Sequence, residues 1–177
     1  MTPDLQRVLS DTYLDDLSGR SIDDVRAMRT ECQSIENGLS YIRRLVQGRL
    51  DIVGSELQRR RDGGEVEELS ELIGRLPDIL ADRSRGSGLA QPPLDMQPTH
   101  VEPLERELDA IIGSSSLAAT TELSEAELGA ALDKLVAFED QVSDSRKSMH
   151  AVIDRVRAEI TRRYQSGEAS VDSLLQA

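Results

Sequence analysis

Two stretches of the chain repeat apolar residues at alternating spacings of three and four positions. The first begins at Val25 and ends before the glycine pair that starts at Gly63, and the second runs from Leu128 to about Tyr164, before Gly167. This spacing is typical of helices that pack along a narrow apolar seam. Each stretch therefore predicts a long α-helix, and the first should measure about 60 Å at a rise of 1.5 Å per residue. The seam positions are Val25, Met28, Cys32, Ile35, Leu39, Ile42, Val46, Leu50, Val53 and Leu57 in the first stretch, and Leu128, Leu132, Leu135, Phe138, Val142, Met149, Ile153, Val156 and Ile160 in the second.

Both stretches are preceded by residues that favour the start of a helix. The Ser21 hydroxyl can accept a hydrogen bond from a free backbone N–H of the first turn, and the Asp24 carboxylate lies near the positive end of the helix dipole. Ser124 and Glu127 form a capping box, in which each side chain satisfies an exposed N–H group of the other residue. We therefore expect the long helices to begin at these serines.

The other segments are assigned from turn residues and composition. The predicted order within a single domain is an N-terminal arm (1–20), a first long helix (21–62), an acidic short helix (63–84), a flexible Pro- and Gly-rich linker (85–101), a short helix and loop (102–123), a second long helix (124–166) and a tail (167–177). The arm is expected to hold a short amphipathic helix over 3–17, and the short helix is expected over 102–112 with a loop over 113–121.

Composition agrees with an all-α fold. The 177 residues are 38% hydrophobic and only 2% aromatic, which is lean for a thick globular core, while 31% are charged. We expect two long helices forming an antiparallel coiled coil, with short accessory helices and a flexible central linker. A parallel pairing would also be sterically possible, because the roughly 60-residue connection can span either geometry.

The charge and the cysteine content narrow the partners and the compartment. A net charge of -12 argues against DNA or RNA as a partner of the whole surface and favours a basic protein partner. The lone Cys32 is expected to serve packing. Without a signal-like start or a long apolar run, the chain is expected to be cytoplasmic, with no membrane contact.

One polar pattern occurs twice, at identical intervals of four, three, four and four residues. The copies lie 103 residues apart and comprise Glu36, Ser40, Arg43, Gln47 and Asp51, then Glu139, Ser143, Arg146, His150 and Asp154. The apolar positions around them repeat at the same offset. At about 100° per residue, each set falls within roughly 80° of arc and forms a polar stripe beside the apolar seam. Two facing stripes would make a pseudo-twofold site.

The residue types of the stripe suit a guanine nucleotide. An arginine offers a forked donor for phosphate or for guanine O6 and N7, and a carboxylate accepts from guanine N1 and N2. Serine, glutamine and histidine can bond phosphate or ribose oxygens, and the neighbouring Arg44 and Lys147 add positive charge. One copy alone would be interpreted as ordinary solvated helix partners. The repetition favours a shared role in binding a twofold-symmetric dinucleotide.

The doubled pattern E-x3-S-x2-R-x3-Q/H-x3-D, with ECQSIENGLSYIRRLVQGRLDIV around its first copy, resembles the RsiG family of anti-sigma factors from sporulating filamentous bacteria. The resemblance covers residues 20–62 and 124–165. It implies an antiparallel coiled coil that binds a dimer of cyclic di-GMP through the ten motif residues. When such a protein has bound the nucleotide, it sequesters the WhiG sporulation sigma factor and represses the transcription that this sigma factor directs. His150 departs from the glutamine of the pattern, although a neutral histidine can still donate or accept one hydrogen bond.

Two further interpretations are considered. In the first, the chain is a coiled-coil adaptor whose polar stripes only set helix register, without nucleotide binding. In the second, it is an enzyme, which the sequence disfavours because the two histidines are isolated and neither a Gly-rich phosphate loop nor a metal-ligand spacing occurs. We therefore expect no catalysis, no metal and no cofactor other than the regulatory nucleotide.

Overall fold

Two long α-helices form the frame of the protein in the computed structural model, which describes residues 2–63 and 101–169. The helices are, in chain order, α1 (Pro3–Val8), α2 (Ile22–Arg61), α3 (Glu102–Ile111), α4 (Ser114–Ala118) and α5 (Glu125–Ser166), with a 3-10 turn at Thr120–Glu122 between α4 and α5. These described residues contain no strand, so the all-α prediction is confirmed for them.

The long helices α2 and α5 begin where the sequence predicts. The Asp24 backbone N–H donates to Ser21 Oγ over 3.1 Å. The Ser124 N–H donates to Glu127 Oε2 over 2.8 Å, and the Glu127 N–H donates to Ser124 Oγ over 3.3 Å. Both helix starts are thus satisfied by side chains.

The predicted seam is the core of both helices. Every seam position is buried except Leu50 and Leu132, which are half-buried. Burial raises the pKa of the Cys32 thiol, which favours its neutral form and agrees with a packing role.

The chain divides into two compact units, and both long helices contribute residues to each. The described part of the first unit comprises 2–43, 101–105 and 140–169, and that of the second comprises 44–63 and 106–139. In the first unit, Arg26 of α2 donates to the Tyr164 hydroxyl near the end of α5, whereas Arg43, further along α2, donates to Ser143, earlier in α5. The two helices therefore run antiparallel in this unit, as predicted.

The N-terminal arm packs on α2 in the first unit. Leu5 of α1, Ile35 and Leu39 of α2, and Leu104 of α3 line one small cavity. The Tyr13 hydroxyl donates to Glu31 over 2.8 Å. Burial raises the pKa of this phenol, which keeps it a hydrogen-bond donor.

Arg163 of α5 fastens the end of the arm. Its guanidinium donates to the carbonyl oxygens of Arg20 at 2.7 Å, Leu17 at 2.7 Å and Ser18 at 3.2 Å. Its Nε donates to Glu159 Oε1 over 2.7 Å, and the side chain is almost fully buried. One arginine thus supplies donors to three carbonyls of a segment without regular structure.

In the second unit, arginines of α2 hold the connecting segments. Arg49 donates to the carbonyls of Leu108 at 3.0 Å and Ile112 at 2.6 Å, at the C-terminal end of α3, where a cation also favours the helix dipole. Arg60 donates to the carbonyls of Thr120 at 3.0 Å and Thr121 at 3.1 Å.

Two predicted boundaries are wrong. The helix expected over 3–17 ends at Val8, and the Ser10 hydroxyl then donates to the Arg7 carbonyl over 2.7 Å, in competition with a helical bond. Asp16 adopts a positive φ of 52°, which a continuing α-helix does not allow. The loop expected over 113–121 contains α4 and the start of the 3-10 turn, which are too short to show helical periodicity.

The helix over 102–112 is confirmed within one residue by α3. The acidic helix predicted over 63–84 and the linker over 85–101 lie almost wholly outside the described residues, as does the tail predicted over 167–177 from residue 170 onward.

Candidate functional site

All ten motif residues lie in the two long helices, and most of them are shielded from solvent. Glu36 is buried, whereas His150 and Asp154 are exposed. The half-buried members are Ser40, Arg43, Gln47, Asp51, Glu139, Ser143 and Arg146. A stripe beside an apolar seam is expected to be half-buried, because the seam side of each residue is covered by the partner helix.

Glu36 is the centre of the contacts in the first unit. Its Oε1 accepts from Ser40 Oγ at 2.7 Å, one turn along α2, and from Arg146 Nη2 at 3.0 Å and Nε at 3.2 Å across the helix pair. His150 Nε2 lies 3.5 Å from the same oxygen. The carboxylate side chain is 8% exposed, so these donors replace the water that it loses on burial.

A second contact in the first unit joins the same two motif copies. Arg43 Nε donates to Ser143 Oγ over 3.0 Å. Arg43 of the first copy and Arg146 of the second thus each bond a residue of the opposite copy. Within this unit, the expected meeting of the two motifs is observed.

The second unit contains the remaining three motif residues, Gln47, Asp51 and Glu139. Gln47 Nε2 donates to Glu139 Oε1 over 3.3 Å. This bond matches the approach of His150 to Glu36 in the first unit: in both cases the fourth residue of one copy meets the first residue of the other. These two contacts therefore follow the internal repeat of the sequence, whereas those of Arg43 and Arg146 differ.

Two residues outside the motif extend the stripe in the first unit. Gln33 Nε2 donates to Glu36 Oε2 over 3.2 Å, and Arg157 Nη2 donates to Gln33 Oε1 over 3.3 Å. The motif spacing did not reveal them, although each lies three residues beyond one end of a copy, where helical periodicity continues the stripe. The proposed auxiliary cations Arg44 and Lys147 are exposed.

The chemistry of the site is that of polar recognition. Guanidinium, amide and hydroxyl donors alternate with carboxylate acceptors along both helices, and this set can bond a polar ligand at its edges and its phosphates. Among the residues described, no cluster of histidine, cysteine or carboxylate side chains is arranged to hold a metal ion.

Fold and site together define a helical protein with paired polar stripes beside an antiparallel helix seam. A family model described as RsiG-like matches residues 11–80 and 114–177, and the chain belongs to this family. Membership indicates an anti-sigma role, with a sigma factor as the class of partner, and the family is regulatory. No curated protein matches the chain. Within its described portion, no helix is long and apolar enough to cross a membrane.

Proposed function

We propose that the doubled motif binds cyclic di-GMP, as a dimer of the nucleotide, and that the loaded protein sequesters a WhiG-type sigma factor. The observation that carries the nucleotide proposal is the pairing of Arg146 with Glu36 and of Arg43 with Ser143. Donors and acceptors from both copies meet in one unit, so a single ligand could contact both. An arginine and a carboxylate are the two groups that complement the edges of guanine.

Each side chain has a role in this proposal. Arg43 and Arg146 contact guanine or phosphate oxygens, and Glu36 and Glu139 orient them or accept from guanine N1 and N2. Hydroxyls and amides supply neutral bonds to ribose and phosphate. Ser40, Ser143 and Gln47 have this supporting role. The carboxylates of Asp51 and Asp154 only accept, from ribose hydroxyls or guanine N–H groups, and the imidazole of His150 lies beside Glu36. Because buried polar groups must keep partners, binding exchanges internal contacts for ligand contacts and does not simply add new ones.

The same internal contacts favour one alternative, a coiled-coil adaptor without a nucleotide. Among the described residues, no buried side-chain nitrogen or oxygen lacks a hydrogen-bond partner, so the buried polar atoms of the stripes are satisfied without a ligand. In the adaptor, Arg43 and Arg146 would only fix helix register. The two functions differ in their response to nucleotide, since only the cyclic di-GMP-binding protein is expected to bind it.

Isothermal titration with cyclic di-GMP distinguishes them. The wild type should bind, and Arg43→Ala with Arg146→Ala should abolish measurable binding, because each charged contact contributes about 1.5 to 3 kcal/mol. The matched control is Arg29→Ala with Lys134→Ala, which removes the same charge from exposed positions of α2 and α5. This control should bind like the wild type.

Thermal melting by circular dichroism shows whether both double variants remain folded. The nucleotide proposal would be contradicted if the wild type gave no heat of binding at high micromolar nucleotide. Normal binding by the folded Arg43→Ala, Arg146→Ala protein would contradict it too. Early melting of that variant, with no nucleotide effect in the wild type, supports the adaptor.

The sigma-factor half of the proposal is tested by gel filtration with a WhiG-type sigma factor. We expect co-elution with cyclic di-GMP and separate peaks without it. The charge of -12 suits this partner, since a sigma factor presents basic DNA-contacting surfaces. A complex that forms equally well without nucleotide would show that sigma-factor binding does not require the nucleotide, while leaving the anti-sigma role intact.

A further inference from the structure

The two motif copies differ at one position only, where the first has Gln47 and the second has His150. The structure gives both side chains the same kind of partner. Gln47 Nε2 donates to Glu139 Oε1 over 3.3 Å in the second unit, and His150 Nε2 lies 3.5 Å from Glu36 Oε1 in the first. An amide stays neutral at all ordinary pH values, whereas an imidazole gains a proton and a charge near neutral pH. At this position the copies therefore make the same kind of contact but differ in charge.

The partner of His150 is an oxygen that it shares with an arginine. Arg146 Nη2 donates to Glu36 Oε1 over 3.0 Å, so the arginine and the histidine approach the same atom. Glu36 is 8% exposed at its side chain, and a buried carboxylate that loses its cation is strongly disfavoured. When Arg146 turns away, Glu36 keeps its neutral donors Ser40 and Gln33, and a second cation beside it replaces the charge that it loses.

His150 is placed to be that cation. Its side chain is 51% exposed, so it exchanges protons with solvent. The charged group in contact with it on α2 is Glu36, and on α5 Arg146 and Lys147 lie one helical turn before it and Asp154 one turn after it. Of these, Glu36 is the carboxylate within 4 Å.

We propose that His150 makes nucleotide binding sensitive to pH, because its protonated ring keeps Glu36 paired when Arg146 turns to the nucleotide. This inference rests on the proposed function, in which Arg146 contacts the ligand. The nucleotide-bound state favours the protonated ring, so binding takes up a proton and affinity increases as the pH falls through the neutral range. The phosphodiesters of the ligand keep their charge over this range and do not contribute to the change.

The test is titration calorimetry with cyclic di-GMP at about pH 6 and about pH 8. The wild type should bind about three- to fivefold more tightly at the lower pH, the size expected for a half-exposed ionic contact. His150→Gln gives the second copy the residue of the first, and its affinity should be equal at the two pH values. Gln47→His should increase the dependence, since both copies then carry a histidine beside a glutamate.

The other histidine of the chain provides the matched control. His100→Gln should leave the wild-type pH dependence unchanged. An equal dependence in the wild type and in His150→Gln overturns the inference while nucleotide binding itself stands. If the wild type binds at neither pH, the proposed function fails first, and this inference fails with it.

Discussion

Glu36 shows how one residue of the candidate site also supports the fold. It is buried and accepts hydrogen bonds from Gln33, Ser40 and Arg146. Glu36→Ala would leave these donors without their acceptor, and we expect it to lower the free energy of unfolding by about 1 to 3 kcal/mol. Urea denaturation monitored by circular dichroism measures the change.

The matched control for Glu36→Ala is Asp154→Ala, which removes an exposed carboxylate of the same motif. Its free energy of unfolding should stay within about 0.5 kcal/mol of the wild type. Equal effects of the two substitutions would show that the contacts of Glu36 do not contribute to stability.

The residue scale also marks the limit of what the sequence could predict about the site. Periodicity assigned Glu36 and Arg146 to polar stripes and predicted that the stripes face each other. It could not predict that Arg146 would bond Glu36 while Arg43 bonds Ser143, because the offset of two antiparallel helices depends on how their seams interlock. The capping pairs were predictable because they depend only on near neighbours in the chain.

At the scale of elements, long helices were predictable and short ones were not. The seams of α2 and α5 repeat over many turns, and their ends are marked by Ser21, Ser124 and glycines. In contrast, α1 ends at Val8 and α4 spans one turn, where local propensity is weak and tertiary contacts decide the conformation. The segment after α1 depends on a residue far away in the sequence, Arg163.

Arg163→Ala should release the end of the arm and leave the long helices in place. The substitution removes the donors to the carbonyls of Leu17, Ser18 and Arg20, so local opening of the arm no longer has to break these bonds. Hydrogen exchange should therefore accelerate by about tenfold or more at the backbone amides of residues 10–20. Exchange in the middle of α2 should stay unchanged.

Arg162→Ala is the control for Arg163→Ala. Arg162 is 47% exposed and pairs with Glu159 and Glu168 at the end of α5, so its removal should leave exchange in the arm as it is in the wild type. Arg163→Lys should resemble Arg163→Ala, because an ammonium cannot serve several carbonyls with a planar fork. An unchanged arm in Arg163→Ala would mean that its apolar packing alone holds it.

At the scale of the whole molecule, the net charge of -12 acts differently on the two proposed partners. A basic sigma-factor surface is attracted at long range, and this attraction raises the association rate and is screened by salt. An anionic nucleotide is repelled at long range and attracted locally by Arg43 and Arg146. Salt screens the long-range repulsion and the local attraction of the nucleotide alike, and these two effects have opposite signs.

The two bindings should therefore respond differently to ionic strength. Between about 0.05 M and 0.3 M salt, the association rate with a WhiG-type sigma factor should fall by about tenfold. The affinity for cyclic di-GMP should change by less than about threefold, because the screened attraction and the screened repulsion compensate. Stopped-flow association of the loaded protein with the sigma factor measures the first quantity, and calorimetry that titrates the nucleotide into the nucleotide-free protein measures the second. An association rate that is independent of salt would show that the acidic surface does not guide the sigma factor. A nucleotide affinity that falls as steeply as the association rate would show that the local arginine contacts outweigh the charge of the whole chain.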